Sequence, residues 1–323
     1  MKNELKTLSD AIRYFSDEQV CIDTVALMRW PDGPHCPACL SPESRQHWLK
    51  TQRRWQCREC GKQYSVKVNT IFEDSPIRLD KWLTAMWLLA NCKNGVSSYE
   101  IHRSIGVTQK SAWFMLQRIR LAMKNKSVLK LGYRGGPVEM DETFIGGKLK
   151  NMHKSKKPKG TGFSGVPCGA MAKTIVVGMV ERGGRVKAEV VAERTHAVLR
   201  ALVNKHIHPG ATLITDEWGG YKGTDLTHEI VNHAVEYVRG QVHTQGIENF
   251  WSLLKRSLGG TYISVEPFHL DRYVDEQAFR YNNRATVDNP VNDADRFALV
   301  LSQVSGKRLT YAELTGKVGE TAF

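Results

Sequence analysis

The sequence lacks any run of about eighteen or more consecutive apolar residues, the length that a membrane-spanning helix requires. Its first residues, MKNELKTLSDAIRYF, are acidic and polar where a signal peptide has an apolar stretch. The sequence also has no internal repeat. These absences exclude a spanning helix and argue against secretion. We therefore expect a protein that works in the cytoplasm and has no membrane partner.

Acidic residues are too few to balance the basic ones. The 323 residues include 46 Lys and Arg against 33 Asp and Glu, which gives a formal charge of +13 and a pI of about 9.4. Residues 1–135 hold 22 basic and 12 acidic residues, and residues 136–323 hold 24 and 21. The excess lies mostly in the first part and favours a polyanionic partner, usually nucleic acid. The alternative is a generically basic enzyme without such a partner.

Cysteine occurs seven times, an odd number that does not suit a disulfide framework. Four of the seven form two CxxC pairs separated by 17 residues, and they are Cys36, Cys39, Cys57 and Cys60. Each pair places two thiolates on one tight turn, and two turns complete a tetrahedral Zn²⁺ site with a structural role. A redox pair or chance spacing are the alternatives. The isolated Cys21, Cys92 and Cys168 are interpreted as small buried residues.

Basic residues surround the second cysteine pair. Arg53, Arg54 and Arg58, together with Lys62 and Trp55, are typical of a ribbon that faces DNA. The alternative for these charges is a solvated surface. Residues 31–72 are rich in turns and in short stretches of Trp, Tyr and Val, so we expect short β-strands here.

A helix-turn-helix pattern follows at residues 97–113. A short helix ends at Gly106, and Thr108 is placed to cap a second helix. The N-terminal part of that second helix presents Gln109 and Lys110, which we expect to contact the major groove of double-stranded DNA. The alternative is a plain helical bundle, since any three-helix arrangement can resemble this motif.

Beyond the polar segment LGYRGGP the pattern changes to strands and helices. A strand at residues 137–144 precedes a hairpin whose turn falls at Gly183 and Gly184. A helix, two further strands and two helices come next. A hairpin followed by alternating strands and helices predicts a mixed α/β sheet.

Three separated acids stand in these predicted elements. Asp141 lies within the apolar strand at residues 138–144, and Asp216 ends the strand at residues 211–216. Glu248 lies in a helix at residues 246–256 and shares a side of it with Lys255. The same helix carries an apolar stripe formed by Ile247, Phe250, Trp251 and Leu254.

Carboxylates in such positions can share two Mg²⁺ ions, which prefer oxygen ligands. Phosphodiester cleavage uses two divalent ions about 4 Å apart to activate the attacking oxygen and stabilise the leaving one. Each acid taken alone can equally be a helix cap or half of a surface ion pair. The joint placement on strands and a nearby helix favours the metal site.

The chain resembles the zinc-ribbon DDE transposases of the bacterial insertion-sequence fifteen-ninety-five group. The resemblance extends from about residue 10 to about residue 300 and is carried by the following motifs: CPAC and CREC, MDETFIGGK, LITDEWGGY, HTQGIENFWSLLKRSLGGTY and RYVDEQAFRYNNR. It implies an RNase H-like catalytic domain, with a mixed sheet flanked by helices. It also implies hydrolysis at the transposon end, followed by attack of the freed 3′-hydroxyl on target DNA.

By this resemblance Asp141, Asp216 and Glu248 correspond to the three acids that hold Mg²⁺ or Mn²⁺. Lys255 corresponds to the family's basic residue after the third acid, and we expect it and Arg256 to contact DNA phosphates. Two transposon ends are joined in one event, so the reaction leads us to expect a homodimer or higher assembly on DNA.

The motifs divide the chain into four predicted domains. These are the N-terminal helices and zinc ribbon at 1–78, the DNA-binding helices at 79–134, the catalytic domain at 135–290 and a C-terminal tail at 291–323. Glu142 and Glu217 are expected to point away from the metals. His243 either contacts DNA or the leaving group or is a structural residue. The lysine-rich run at 148–159 either clamps DNA or the partner subunit or is a solvated loop.

Three other functions are compatible with parts of the sequence. A silent DNA-binding descendant would keep the fold, but such a protein usually loses one of the acids. A stand-alone RNase H-like nuclease, such as a resolvase, would not explain the zinc ribbon and the helix-turn-helix. A zinc-ribbon transcription factor would leave residues 136–300 without a role.

Overall fold

The computed structural model describes residues 5–124, 127–147, 173–216, 226–231, 244–287 and 289–317. The chain divides into two compact units. The first unit combines Met1–Lys124 with Asn283–Phe323, and the second is Asn125–Asn282. Within the described ranges, each helix is too short or too polar to cross a lipid bilayer.

The first unit begins with two helices and a three-stranded sheet. The first two helices are α1 (Leu8–Tyr14) and α2 (Glu18–Arg29). They are capped by Thr7 and Asp17, whose side chains accept hydrogen bonds from backbone N–H groups of the first turn. The strands are β1 (Gln46–Leu49), β2 (Arg54–Cys57) and β3 (Gln63–Tyr64), paired antiparallel in chain order. The predicted short β-strands are therefore present.

Three helices follow in the first unit: α3 (Leu79–Asn91), α4 (Ser98–Ile105) and α5 (Gln109–Met123). Helix α3 is apolar on most sides, which suits a central helix, because eight of its 13 residues are buried. Helix α4 starts with a capping box between Ser97 and Glu100 and ends at Gly106, whose φ of +62° is a left-handed conformation that glycine adopts without strain.

The second unit is built on a five-stranded sheet. Its strands are β4 (Val138–Ile145), β5 (Thr174–Glu181), β6 (Val186–Val191), β7 (Thr212–Asp216) and β8 (Thr227–Val231), in the spatial order β6-β5-β4-β7-β8. The pairs β6-β5 and β5-β4 are antiparallel, and β4-β7 and β7-β8 are parallel. The prediction of a mixed sheet is confirmed.

Helices cover both faces of this sheet. They are α6 (His196–His206), α7 (Gln245–Ser257) and α8 (Leu270–Asn282), with a π-helical turn at Leu258–Tyr262 and a 3₁₀ turn at Pro267–His269. One core cluster packs α6 against Val138 and Met140 of β4. The other packs α7 and α8 against the opposite face, on which Ile145 lies. Side chains alternate along a strand, so odd-numbered residues of β4 face α7.

The segment predicted as a C-terminal tail contains two helices, α9 (Asp293–Ser302) and α10 (Tyr311–Leu314). They pack within the first unit. Phe297 of α9 lies 5.5 Å from Phe15 and 5.4 Å from Trp87 between ring centres. The buried Arg118 of α5 donates to the carbonyl of Leu309 at 2.9 Å. The end of the chain therefore completes the helical core that its beginning starts.

Candidate zinc site and acidic site

The four predicted zinc ligands are brought together in the first unit. One ligand atom from each of Cys36, Cys39, Cys57 and Cys60 lies within 4.8 Å of the others. The Sγ atoms of Cys36 and Cys60 are 3.6 Å apart, as are those of Cys39 and Cys57. Thiolates bound at 2.3 Å to a tetrahedral zinc ion lie about 3.8 Å apart. The cluster therefore has the ligand type and spacing of a zinc-ribbon site.

Two tight turns hold the cysteine pairs, and one hydroxyl group favours the thiolate form of Cys57. Leu40 donates its N–H to the carbonyl of Cys36, and Gly61, at φ +73°, donates to the carbonyl of Cys57. The Ser41 hydroxyl lies 3.0 Å from the Sγ of Cys57 and lowers the pKa of that thiol to about 6. A lowered pKa favours the thiolate, which is the form that binds metal.

Around this cluster the ribbon has an aromatic core rather than an aromatic surface. Trp55 is buried, and its ring centre lies 5.3 Å from that of Trp30 and 4.5 Å from that of Trp48. Tyr64 stacks on the other side at 6.0 Å. Trp55 was expected among the DNA-facing residues, and the structure instead places it inside the ribbon.

The predicted DNA-contacting arginines of the ribbon are exposed, but they differ in their partners. Arg53 pairs with Glu18 of α2. Arg54 and Arg58 have exposed side chains, and no carboxylate in the described ranges forms an ion pair with either. Arg54 and Arg58 are therefore the two arginines of this set whose charge the ribbon leaves uncompensated.

The helix-turn-helix segment has the predicted elements, and its first helical residues have contacts inside the unit. Gln109 donates to the Ser98 hydroxyl at 2.9 Å. Lys110 is an exposed residue, and its Nζ lies 4.6 Å from the centre of the Tyr311 ring. Lys110 therefore reaches the surface beside α10, while Gln109 is tied to α4.

In the second unit, two of the predicted acids lie on neighbouring parallel strands. Strand β4 pairs with β7 through Val138 with Leu213 and Glu139 with Ile214. Asp141 and Asp216 each lie two residues beyond this paired stretch, and the charge of Asp216 acts on the Asp141 carboxylate. Asp141 is an odd-numbered residue of β4 and lies on the face covered by α7. The sheet therefore directs these carboxylates toward the helix that carries the third acid.

Asp141 is held by two hydrogen bonds in a partly dehydrated environment. Its Oδ1 accepts the backbone N–H of Glu142 at 2.7 Å, and its Oδ2 accepts the indole N–H of Trp251 at 3.0 Å. Burial raises the pKa of Asp141 to about 6, and the charges of Asp216 and Glu248 raise it as well. The three predicted acids therefore share one electrostatic environment.

Helix α7 carries Glu248 on its exposed side. The predicted apolar stripe of Ile247, Phe250, Trp251 and Leu254 is buried against the sheet. Glu248 is exposed, and its Oε1 accepts the Thr244 hydroxyl at 2.9 Å. Lys255 and Arg256 are also exposed, at the other end of the helix.

The carboxylates are less tightly gathered than the thiols. Across the described residues, the cysteines form the one group of three or more His, Cys, Asp or Glu side chains close enough to hold a single ion. The acids are thus neighbours without forming a closed cage.

Two contacts at this site involve residues that sequence reasoning did not select. Trp251 was assigned to the apolar stripe alone, and its N–H also holds Asp141. Glu139 is 1% exposed and accepts the backbone N–H of Ile247 at 3.0 Å. The sequence does contain a signal for Glu139, since an acid two residues before Asp141 lies on the same face of the strand.

Glu142 faces the other side of the sheet, where its Oε1 lies 3.8 Å from Nη1 of Arg194. Glu217, His243 and the lysine-rich run at 148–159 lie outside the described residues.

Comparisons with known proteins agree with this organisation. Residues 134–282 match the family model for the ISXO2-like transposase domain, and residues 16–63 match that for the transposase zinc-ribbon domain. A Halobacterium salinarum protein, described as an uncharacterized protein in transposable element ISH50, is 27% identical over 256 residues, which cover 76% of this chain and 85% of the relative.

One solved structure is a simian T-cell lymphotropic virus intasome in complex with PP2A regulatory subunit B56 gamma. The match has 13% sequence identity, covers 66% of this chain and 72% of that chain, and has a TM-score of 0.30. The zinc-ribbon model matches the residues that form the ribbon, and the transposase-domain model matches those that form the mixed sheet. The chain therefore belongs to the zinc-ribbon transposases of the insertion-sequence fifteen-ninety-five group, and its second unit is an RNase H-like DDE domain.

Proposed function

We propose that this transposase cleaves the ends of its insertion sequence and joins them to target DNA, and that Asp141, Asp216 and Glu248 form its active site. The observation that carries this proposal is the placement of Asp141 on the face of β4 covered by α7, the helix of Glu248, where Trp251 of α7 donates to its Oδ2 at 3.0 Å. Burial and the charges of Asp216 and Glu248 also raise the pKa of Asp141 to about 6. Clustered carboxylates that raise one another's pKa are typical of catalytic sites.

The donor set fits two Mg²⁺ or Mn²⁺ ions, because it offers only carboxylate oxygens, which are the ligands that these ions prefer. A divalent cation would also relieve the repulsion from Asp216 and Glu248, which adds to burial in raising the pKa of Asp141. When bound, the ions supply an activated attacking oxygen and stabilise the leaving oxygen.

The chain's own residues orient the reacting groups. Trp251 fixes the Asp141 carboxylate through its indole N–H, and the Thr244 hydroxyl fixes that of Glu248. Lys255 and Arg256, exposed on the same helix, are placed to bind DNA phosphates. In the first step water attacks the phosphodiester and the 3′-oxygen leaves. In the second step that 3′-hydroxyl attacks a target phosphodiester, whose own 3′-oxygen leaves.

The first unit is proposed to bind the DNA ends. Cys36, Cys39, Cys57 and Cys60 hold a structural Zn²⁺ ion, which keeps the ribbon folded. Arg54 and Arg58 contribute uncompensated charge, and Lys110 contributes a further exposed cation beside α10. Arg53 and Gln109, which already contact Glu18 and Ser98, have to exchange those partners to reach DNA.

We propose that the four segments predicted from the sequence, 1–78, 79–134, 135–290 and 291–323, are functional divisions, with the roles described above in the first three. The reaction joins two ends at once, so we also propose that the protein acts as a dimer or higher assembly on DNA. Crosslinking or gel filtration with end DNA checks this, and the recovery of monomers alone would contradict it.

The test of the catalytic proposal is cleavage of labelled DNA that carries the element's own ends, in Mg²⁺ or Mn²⁺. We expect wild-type protein to nick at the end, and Asp141→Ala to lose that activity roughly 10³-fold or more, since a metal ion contributes several kcal/mol to the barrier. The matched control is Glu142→Gln, a neighbouring acid on the opposite face of the same strand, which should retain cleavage.

Binding of end DNA without cleavage by the wild type would reject the catalytic proposal and favour a silent DNA-binding descendant. Equal cleavage by wild type and Asp141→Ala would exclude Asp141 from the active site.

A further inference from the structure

One buried acid in the second unit has no part in the proposed chemistry. Glu139 is 1% exposed, lies two residues before Asp141 on β4 and faces α7. A carboxylate removed from water in this way needs partners that compensate its charge. Its partners lie on α7 and on the turn after β5.

The carboxylate of Glu139 connects the central strand to the first turn of α7. Its Oε2 accepts the N–H of Ile247 at 3.0 Å, and its Oε1 accepts from Nη2 of Arg182 at 3.2 Å. The first N–H groups of a helix have no partner within the helix, and a negative charge at that end is favourable. Ile247 directly precedes Glu248.

The usual capping position of this helix is used for something else. Thr244 makes no side-chain hydrogen bond to the helix backbone, and its hydroxyl donates to Oε1 of Glu248 instead. The capping function therefore falls on Glu139, which belongs to a different element. A cap supplied from β4 fixes where the helix begins relative to the strand that carries Asp141.

The close approach of helix and strand requires a glycine at Gly246. A Cβ atom there would lie 2.7 Å from Oε2 of Glu139. Real Cβ atoms essentially never approach another atom this closely, so the carboxylate or the helix would have to shift. The carboxylate is buried and held on both oxygens, which makes it difficult to displace.

We propose that Glu139 is a positioning residue that anchors the start of α7 so that Glu248 lies at the right distance from Asp141 and Asp216. This role rests on the proposed function, in which the three acids hold divalent ions. Glu139 itself contacts neither metal nor DNA. Arg182 balances its charge, and the ion pair and hydrogen bond together specify one docking position of the helix on the sheet.

The test is Mn²⁺ binding to DNA-free, zinc-loaded full-length protein, followed by electron paramagnetic resonance, with thermal melting of each variant in parallel. Glu139→Leu is expected to weaken Mn²⁺ binding about tenfold or more, the usual effect of losing a group that orients metal ligands. Glu139→Gln should bind more tightly than Glu139→Leu, because its amide oxygen can still accept the N–H of Ile247.

The matched control is Glu276→Gln, which alters another fully buried acid, paired with Arg280 on α8. It should lower the melting temperature to a similar extent and leave Mn²⁺ binding unchanged. Gly246→Ala perturbs the contact from the helix side. Alanine has the higher helix propensity, yet we expect this variant to bind Mn²⁺ more weakly.

Wild-type Mn²⁺ affinity in both Glu139→Leu and Gly246→Ala would overturn the positioning role. Should Glu139→Leu not fold, Gly246→Ala decides by the same criterion. Failure of the wild type to bind Mn²⁺, or binding that Asp141→Ala does not weaken, would instead overturn the proposed function and the positioning role with it.

Discussion

In the ribbon the four thiol groups lie within 4.8 Å of one another, whereas the three carboxylates of the second unit are spread over two strands and a helix. The ribbon strands contain four, four and two residues and enclose a small aromatic core. Two of the acids lie on a five-stranded sheet with a core cluster on each face, and the third lies on helix α7, which packs against that sheet.

The difference shows whether the fold of each region depends on its metal ion or the metal site depends on the fold. A segment as small as the ribbon cannot bury enough apolar surface to fold alone, so its ligands and its fold form together with the metal. The sheet has a core cluster on each face, so we expect the second unit to fold without metal and to hold the repelling carboxylates near one another. On the proposed roles of the two sites, zinc supports the structure of the ribbon, whereas the structure of the second unit supports the three carboxylates.

Removal of zinc is the largest expected change and tests the first half of this comparison. Structural zinc contributes about 10 kcal/mol or more to folding in small zinc domains. We expect a zinc chelator to unfold residues 36–64, with loss of the near-ultraviolet circular dichroism of Trp30, Trp48 and Trp55 and with rapid proteolysis there. The melting transition of the second unit should persist.

Two cysteine variants separate this effect from the general loss of a thiol. Cys57→Ser should reproduce the chelated state, while Cys92→Ser, which alters a half-buried isolated cysteine, should not. If the ribbon stays resistant to protease after its zinc is removed, it folds without metal, as we expect the sheet to do.

Neutralising Asp141 tests the second half of this comparison. We expect it to stabilise the second unit, whereas zinc removal destabilises the ribbon. Burial and neighbouring charge raise the pKa of Asp141 from 3.8 to about 6, so the folded state binds its proton more tightly than the unfolded state does. Stability from this group is therefore present below about pH 4 and is lost as the pH rises through about 6. At pH 7 the ionised carboxylate destabilises the metal-free fold.

We expect Asp141→Asn to raise the free energy of unfolding of the metal-free second unit by about 1–3 kcal/mol at pH 7. The upper end corresponds to the full pKa shift, and the lower end allows for the acceptor oxygen that asparagine lacks. Denaturant unfolding at pH 7 and at pH 4 measures the change, and the gain should shrink at the lower pH. If the variant is instead less stable than the wild type at pH 7, the ionised Asp141 carboxylate does not destabilise the metal-free fold.

The sequence predicts a good part of both regions because each depends on a local pattern. The CxxC spacing identifies the four thiols, and the periodicity of α7 identifies which of its residues are buried. The alternation along β4 predicts that Asp141 and Glu142 face opposite sides. Each of these inferences uses residues that are close together in the chain.

What the sequence does not reveal depends on contacts between distant segments. Glu139 and Ile247 are separated by 108 positions, and the hydrogen bond between them appears only when α7 docks on the sheet. Trp251 satisfies the apolar pattern of its helix, so nothing in the pattern indicates that its N–H will meet Asp141. The prediction that Trp55 faces DNA is wrong for a similar reason. A tryptophan among arginines suggests an exposed position, and its burial depends on Trp30, Trp48 and Tyr64, which come from other segments.

The smallest expected effect comes from the contact between Trp251 and Asp141, and it sharpens the idea that the sheet supports the acids. Trp251→Phe keeps most of the apolar contact and removes the indole N–H. The hydrogen bond from Trp251 lowers the pKa of Asp141, so its loss should raise that pKa further. A single hydrogen bond contributes about 0.5–1.5 kcal/mol, which corresponds to roughly a 2- to 12-fold weakening of Mn²⁺ binding below pH 6, where protons compete for the carboxylate in both proteins. The weakening should decrease as the pH rises through 6 toward 8, where the carboxylate is ionised in both proteins. Trp87→Phe, at a buried tryptophan of α3 in the first unit, is the control for general loss of an indole. If Trp251→Phe weakens Mn²⁺ binding equally at every pH, Trp251 acts by packing alone. The ionisation of Asp141 would then be determined by the strand and its neighbouring charges, without the hydrogen bond from α7.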